Sequence, residues 1–194
     1  MPLPSILPRV LPLAALALAL ALPVPSLAQM TGQGMGMHRH GADGTGHDIT
    51  NMPGLRGLDA TPEESAELAR MFQNFQDISR TVTILPDGIR TATRSDDPDL
   101  MATILSHVMG MIMRVEEGRD PKVFIQSPTL DIIFERADSI LTAIDITEEG
   151  VIVTQTSTDP EVVAALQTHA AEVSAMVDRG MEAVHDMMMA RARN

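Results

Sequence analysis

The sequence predicts an α+β fold in which a helix–β-hairpin–helix unit occurs twice. The paired hairpins form a four-stranded antiparallel sheet, covered by helices about a pseudo-twofold axis. Three observations predict it. Helical and alternating apolar patterns follow one another in the same order twice. Matching residues keep one offset: 62 residues separate Gly88 from Gly150, Phe72 from Phe134, Ile78 from Ile140, Asp97-Pro98 from Asp159-Pro160, His107 from His169 and Gly118 from Gly180. A register held without a gap through helix, hairpin, cap and helix reads as an internal duplication. Finally, a lone two-stranded hairpin is marginal in water, whereas two side by side make a sheet that helices can cover.

The chain opens on a targeting pattern. Arg9 is the one charge before an apolar run from Val10 to Leu22, which Pro23 and Pro25 end. Ser26-Leu27-Ala28 supplies the small residues that a signal peptidase reads, so residues 1–28 are expected to be a signal peptide cleaved before Gln29. The run is about 13 residues, short of the roughly 20 that span a membrane. A periplasmic or secreted protein with no membrane span after cleavage is the expectation. Residues 29–59, rich in Gly, Met and His and without helical or strand period, read as a flexible tail.

The first unit is expected over residues 60–118. Thr61-Pro62-Glu63-Glu64 is a capping box with proline at the first helical position. Leu68, Met71, Phe72 and Phe75 keep helical spacing, which predicts a helix to about Ile78. Thr81-Val82-Thr83-Ile84 alternates, Pro86-Asp87-Gly88 turns, and Ile89 to Thr93 returns, so a hairpin is expected over residues 80–94. Asp97-Pro98 caps a second helix that runs to Gly118. The second unit, 119–194, repeats the order. A helix starts at Ser127-Pro128 and reaches about Ile140. Ala143 to Ile146 alternates, Glu149-Gly150 turns, Val151 to Val153 returns, and Asp159-Pro160 caps an extended C-terminal helix.

Composition narrows the function classes. The whole chain carries a net charge of −12, which argues against nucleic-acid partners and for solubility or attraction of cations. With no Trp, no Tyr and four Phe, stacking platforms are scarce. There is no cysteine, hence no disulfide or thiol chemistry. HExxH, GxSxG, a phosphate-binding glycine loop and the CxxCH of covalent haem are all missing, so no enzyme is expected.

The fifteen methionines and six histidines carry the functional reading. His107 shares a helical stripe with Leu100, Ile104 and Met111, and His169 shares the matching stripe with Val162, Leu166 and Val173. About a twofold axis the two imidazoles approach and can hold copper, zinc or a haem iron. The alternative is a core-edge histidine in each copy, retained through common ancestry. In the C-terminal helix Met181, His185, Met188 and Met189 fall on one face, either a soft-metal face or an apolar packing stripe. In the tail Met35, Met37, His38 and His40 place two thioethers and two imidazoles within six residues. This tail resembles the Met- and His-rich tails of exported bacterial copper-handling proteins, a likeness confined to that segment. Thioether with imidazole favours Cu(I) over harder ions. The expected function is buffering or delivery of copper in the periplasm. Two alternatives stand beside it: an interaction module, with another periplasmic protein or itself as a homodimer, and non-covalent haem binding between His107 and His169.

Overall fold

The computed structural model describes residues 52–193. The expected signal peptide and most of the expected tail lie outside them. Helix α1 (Pro62–Gln73) leads through a 3-10 turn (Phe75–Asp77) into strands β1 (Ile78–Leu85) and β2 (Gly88–Ser95), then helix α2 (Pro98–Glu116). Helix α3 (Thr129–Glu135), a 3-10 turn (Ala137–Ser139), β3 (Ile140–Thr147), β4 (Gly150–Ser157) and α4 (Pro160–Arg179) follow in the same order, with α5 (Met181–Arg191) last. Both hairpins and the starts of α2 and α4 recur at the 62-residue spacing.

Local chemistry sets these boundaries. The capping box is made: the Thr61 hydroxyl accepts from the Glu64 N–H at 3.2 Å and the Glu64 carboxylate accepts from the Thr61 N–H at 2.8 Å. Asp97 and Asp159 cap α2 and α4, accepting from the N–H groups of Asp99 and Glu161 at 2.8 and 2.9 Å. Both first helices of the units stop earlier than periodicity predicts, α1 at Gln73 and α3 at Glu135, because Ile78 and Ile140 are claimed by the sheet. They pair with Ser95 and Ser157 as the first residues of β1 and β3. The extended C-terminal helix is broken in two. Gly180 has φ +57 and ψ −135, which no helix continues, and a Cβ there would lie 2.9 Å from the Phe75 ring.

The tail boundary also moves. Met52–Asp59, read as flexible from its composition, is tied to the loop before α3. Phe124 N–H donates to the Arg56 carbonyl at 2.9 Å and Ile125 N–H to that of Gly54 at 3.2 Å. Leu55 supplies the apolar anchor and is 1% exposed. Buried Met52 and Leu55, backbone partners and the pairing of Asp59 with Arg114 hold a segment whose periodicity gives no sign of order.

The sheet is antiparallel, in the order β1-β2-β4-β3. That order reads the same from either edge when the two halves are exchanged. In the central pair Thr91 faces Val153, its own counterpart 62 residues on, so the pairing is symmetric about that point. Gly88 and Gly150 permit this close pairing: a Cβ on either would meet a carbonyl oxygen of the opposing central strand, Gln155 at 1.9 Å or Thr93 at 2.3 Å.

Packing onto the sheet is crossed. One core cluster joins Val162, Leu166 and Ala170 of α4 to Ile89 and Val82 of the first hairpin. The other joins Leu100 and Ile104 of α2 to Val151, Val153 and Ile144 of the second hairpin. α4 therefore covers the hairpin of the other half, while α2 lies nearest its own β2 and reaches the other hairpin through its side chains. Gln167 fixes α4 in this position by donating to the Leu85 carbonyl at 3.0 Å, at the turn of the first hairpin. Among the described residues no helix is long and apolar enough to cross a membrane.

Candidate functional site

A cavity of about 320 Å³ lies where the two halves meet. Its floor is the inner face of the sheet, with Arg80, Thr91, Thr93, Val153 and Gln155. Its walls include His107, Val108, Met111 and Ile112 of α2 and His169, Glu172, Val173 and Met176 of α4. Leu68 and Phe72 of α1 and Leu130 and Phe134 of α3 add apolar surface. A cavity this size, with mostly apolar walls and a few polar groups, has the make-up of a small-ligand site.

The crossed helices bring His107 and His169 to this one space. His107 Nδ1 is buried without a hydrogen-bond partner and lies 4.0 Å from Glu67 Oε2. His169 Nδ1 lies 4.0 Å from Glu172 Oε2, which is also buried and unpartnered, while Glu172 Oε1 accepts from the Ser127 hydroxyl at 2.6 Å. Burial pushes the pKa of both imidazoles down to about 4. The Glu64 carboxylate opposes this at His107, whereas the charges of Arg80 and His107 add to it at His169. Both rings are neutral at neutral pH, and each senses a fixed charge nearby.

This has a consequence for stability. An unfolded histidine titrates near 6.5, so between pH 6.5 and 4 the unfolded chain binds protons that the folded chain refuses. Stability is expected to be level above about pH 6.5 and to fall as pH drops toward 4. The side chains keep 19% and 33% exposure. With that screening, the loss for the pair is about 2–3 kcal/mol. Urea midpoints at stepped pH for wild type and the His107→Gln/His169→Gln variant measure it. The slope between about pH 6.5 and 4.5 should be absent from the variant, and equal slopes there would show that these rings do not titrate in this way.

Of the residues singled out in the sequence, His107, Met111 and His169 share the cavity, and Met176 joins them. Met181, His185, Met188 and Met189 are elsewhere. The buried face of α5 is Ala183 and Val184, which leaves Met188 and Met189 at 45% and 46% exposure and His185 exposed. Among the described residues Met188 and Met189 therefore do not form a packing stripe. Met35, Met37, His38 and His40 lie outside the described residues. Among the described residues no three His, Asp or Glu side chains come together as a metal cage, so a metal in the cavity would depend on the two imidazoles with thioethers.

Sequence reasoning missed Arg80, Gln155 and Glu172. Arg80 was legible by parity: it shares a strand face with Ile78 and Val82 and so points at the core side. Nothing local marks Glu172, whose place in the cavity comes from α4 crossing to the other hairpin.

The fold and site together define a two-layer α+β protein with a central cavity at the junction of its halves. Compared with family models, curated proteins and solved structures, the chain matches none.

Proposed function

We propose that this protein is an exported, non-enzymatic binding protein that buffers or delivers a soft metal ion, copper, held in the central cavity. The observation that supports this reading best is the convergence of His107 and His169 on one apolar cavity with Met111 and Met176 in its walls. Neutral imidazole is the form that gives its lone pair to a metal. Two imidazoles with thioethers suit Cu(I), and a dry, apolar wall favours the singly charged ion over a more strongly hydrated divalent one. The Met/His face of α5 offers a second, solvent-facing set of the same donors, suited to transient exchange with another protein. Export rests on the leader pattern.

The test is titration of the full mature chain with Cu(I) against a competing chelator. Wild type is expected to hold one ion in a site that His107→Ala/His169→Ala weakens by 100-fold or more. A parallel variant with Met181, His185, Met188 and Met189 all changed to Ala should keep that site. Equal affinity in wild type and the histidine variant would overturn the cavity reading.

Non-covalent haem between the same imidazoles is a second reading that would require the halves to open, because a porphyrin is several times larger than a cavity of about 320 Å³ holds. Haem addition should then produce an intense visible band that the histidine variant lacks, and an unchanged haem spectrum would dismiss it.

A further inference from the structure

Arg80 gives the cavity a charge that the metal reading does not use. Its side chain leaves β1 on the inner face, beneath the helices. Nη1 donates to the Thr93 hydroxyl at 2.7 Å, and Nε is buried with no partner. Among the described residues no carboxylate forms an ion pair with it. The contrast is Arg114, which is more deeply buried and whose guanidinium is matched by two carboxylates. Burial pushes the Arg80 pKa down to about 10, so the group remains charged at neutral pH. An uncompensated guanidinium withdrawn from water is costly, and packing does not require one here. Its counterpart in the second half is Thr142, which accepts from Gln155 Nε2 at 3.5 Å in the place where Arg80 meets Thr93. A threonine thus fills the equivalent position with no charge. Arg80 is the departure from symmetry that brings a positive charge to the ligand space.

We propose that Arg80, with Thr91 and Thr93 beside it, receives the carboxylate of a small organic acid whose apolar body lies against Met111, Val173 and Met176. The headgroup is singly charged for a physical reason. One guanidinium serves the cavity and no lysine lines it, so a second negative charge would find no partner. The body is limited by volume. A 150 Å³ cavity takes benzene, so about 320 Å³ admits roughly a dozen heavy atoms, the size of a medium-chain monocarboxylic acid. The inference goes beyond the metal reading and does not depend on it.

The experiment uses the metal-free full mature chain and decanoate as the probe, read by calorimetry. Decanoate should bind wild type, and decanol, with the same tail and no charge, at least tenfold more weakly. Arg80→Thr should lose at least tenfold in decanoate affinity and leave decanol unchanged. Its melting temperature without ligand should equal or exceed that of wild type, because the change removes a desolvated charge and installs the residue of the other half. The His107→Ala/His169→Ala variant should still bind decanoate, which separates failure of the metal reading from failure of this one. No decanoate binding at millimolar concentration, equal binding of decanol, equal binding by Arg80→Thr, or a lower melting temperature for that variant would each overturn the proposal.

Discussion

Arg114→Met is expected to lower the unfolding free energy by about 3–5 kcal/mol, the range for removing one partner of a buried ion pair. Arg114 sits on α2 at 3% exposure. Its guanidinium donates to both oxygens of Glu64, to Asp59 Oδ2 at 2.8 Å, and to the backbone carbonyls of Asp59 and Arg119 at 2.7 and 3.1 Å. One side chain thus joins the start of α1, the segment before it and the loop after α2. Methionine is the natural substitute, because Met176 occupies the equivalent place in α4. It fills the volume and leaves the acceptors without their donor. Burial alone would raise the Glu64 pKa, yet the hydrogen bonds from Arg114 and the Thr61 N–H more than offset it and hold it below 4.5. The Glu64 contribution is therefore fully present above about pH 4.5 and is lost as pH falls through the lower folded value. The deficit of the variant, measured by urea unfolding, should be largest at neutral pH and shrink in acid. A deficit under 1 kcal/mol, or one that does not change with pH, would show that the network is not what fixes these three segments.

Much of this architecture is legible in the sequence because it is written in local chemistry. The three caps at Thr61, Asp97 and Asp159 are each made by side chain and backbone within a few residues. The two alternating runs, spaced by 62 residues, predict both hairpins. What periodicity leaves open is decided over distance. Whether Ile78 ends a helix or starts a strand depends on Ser95 across the sheet. Whether Met188 and Met189 are buried depends on the break at Gly180, which turns α5 so that Ala183 and Val184 face inward. The site divides in the same way. Matching stripes predict that His107 and His169 approach, whereas the meeting of Arg80, Glu172 and Gln155 requires knowing which helix covers which hairpin.

That crossing leads to the second large effect. Two separate chains, residues 52–119 and 120–193, are expected to be unfolded alone and to fold when mixed. Alone, the first keeps Leu100 and Ile104 on α2 but loses Val151 and Val153 beneath them, and Ile89 loses Val162 and Leu166. These seven side chains are worth roughly 1.5–3 kcal/mol each when fully buried. Together they match or exceed the 5–15 kcal/mol by which a whole domain is stable. Neither half can recover that within itself, because α4 lies over the other hairpin and the buried side chains of α2 pack on Val151 and Val153. Circular dichroism should show no cooperative urea transition for either piece and one shared transition for the equimolar mixture. A piece that folds by pairing with a second copy of itself obeys the same rule, since the second copy supplies the missing hairpin. A piece that unfolds cooperatively as a monomer would refute the crossed arrangement. Because Arg80 and His107 come from one half and His169 and Met176 from the other, ligand binding is expected only in the reassembled mixture. A bound ligand should in turn tighten the association of the pieces, as any guest of the joined state must.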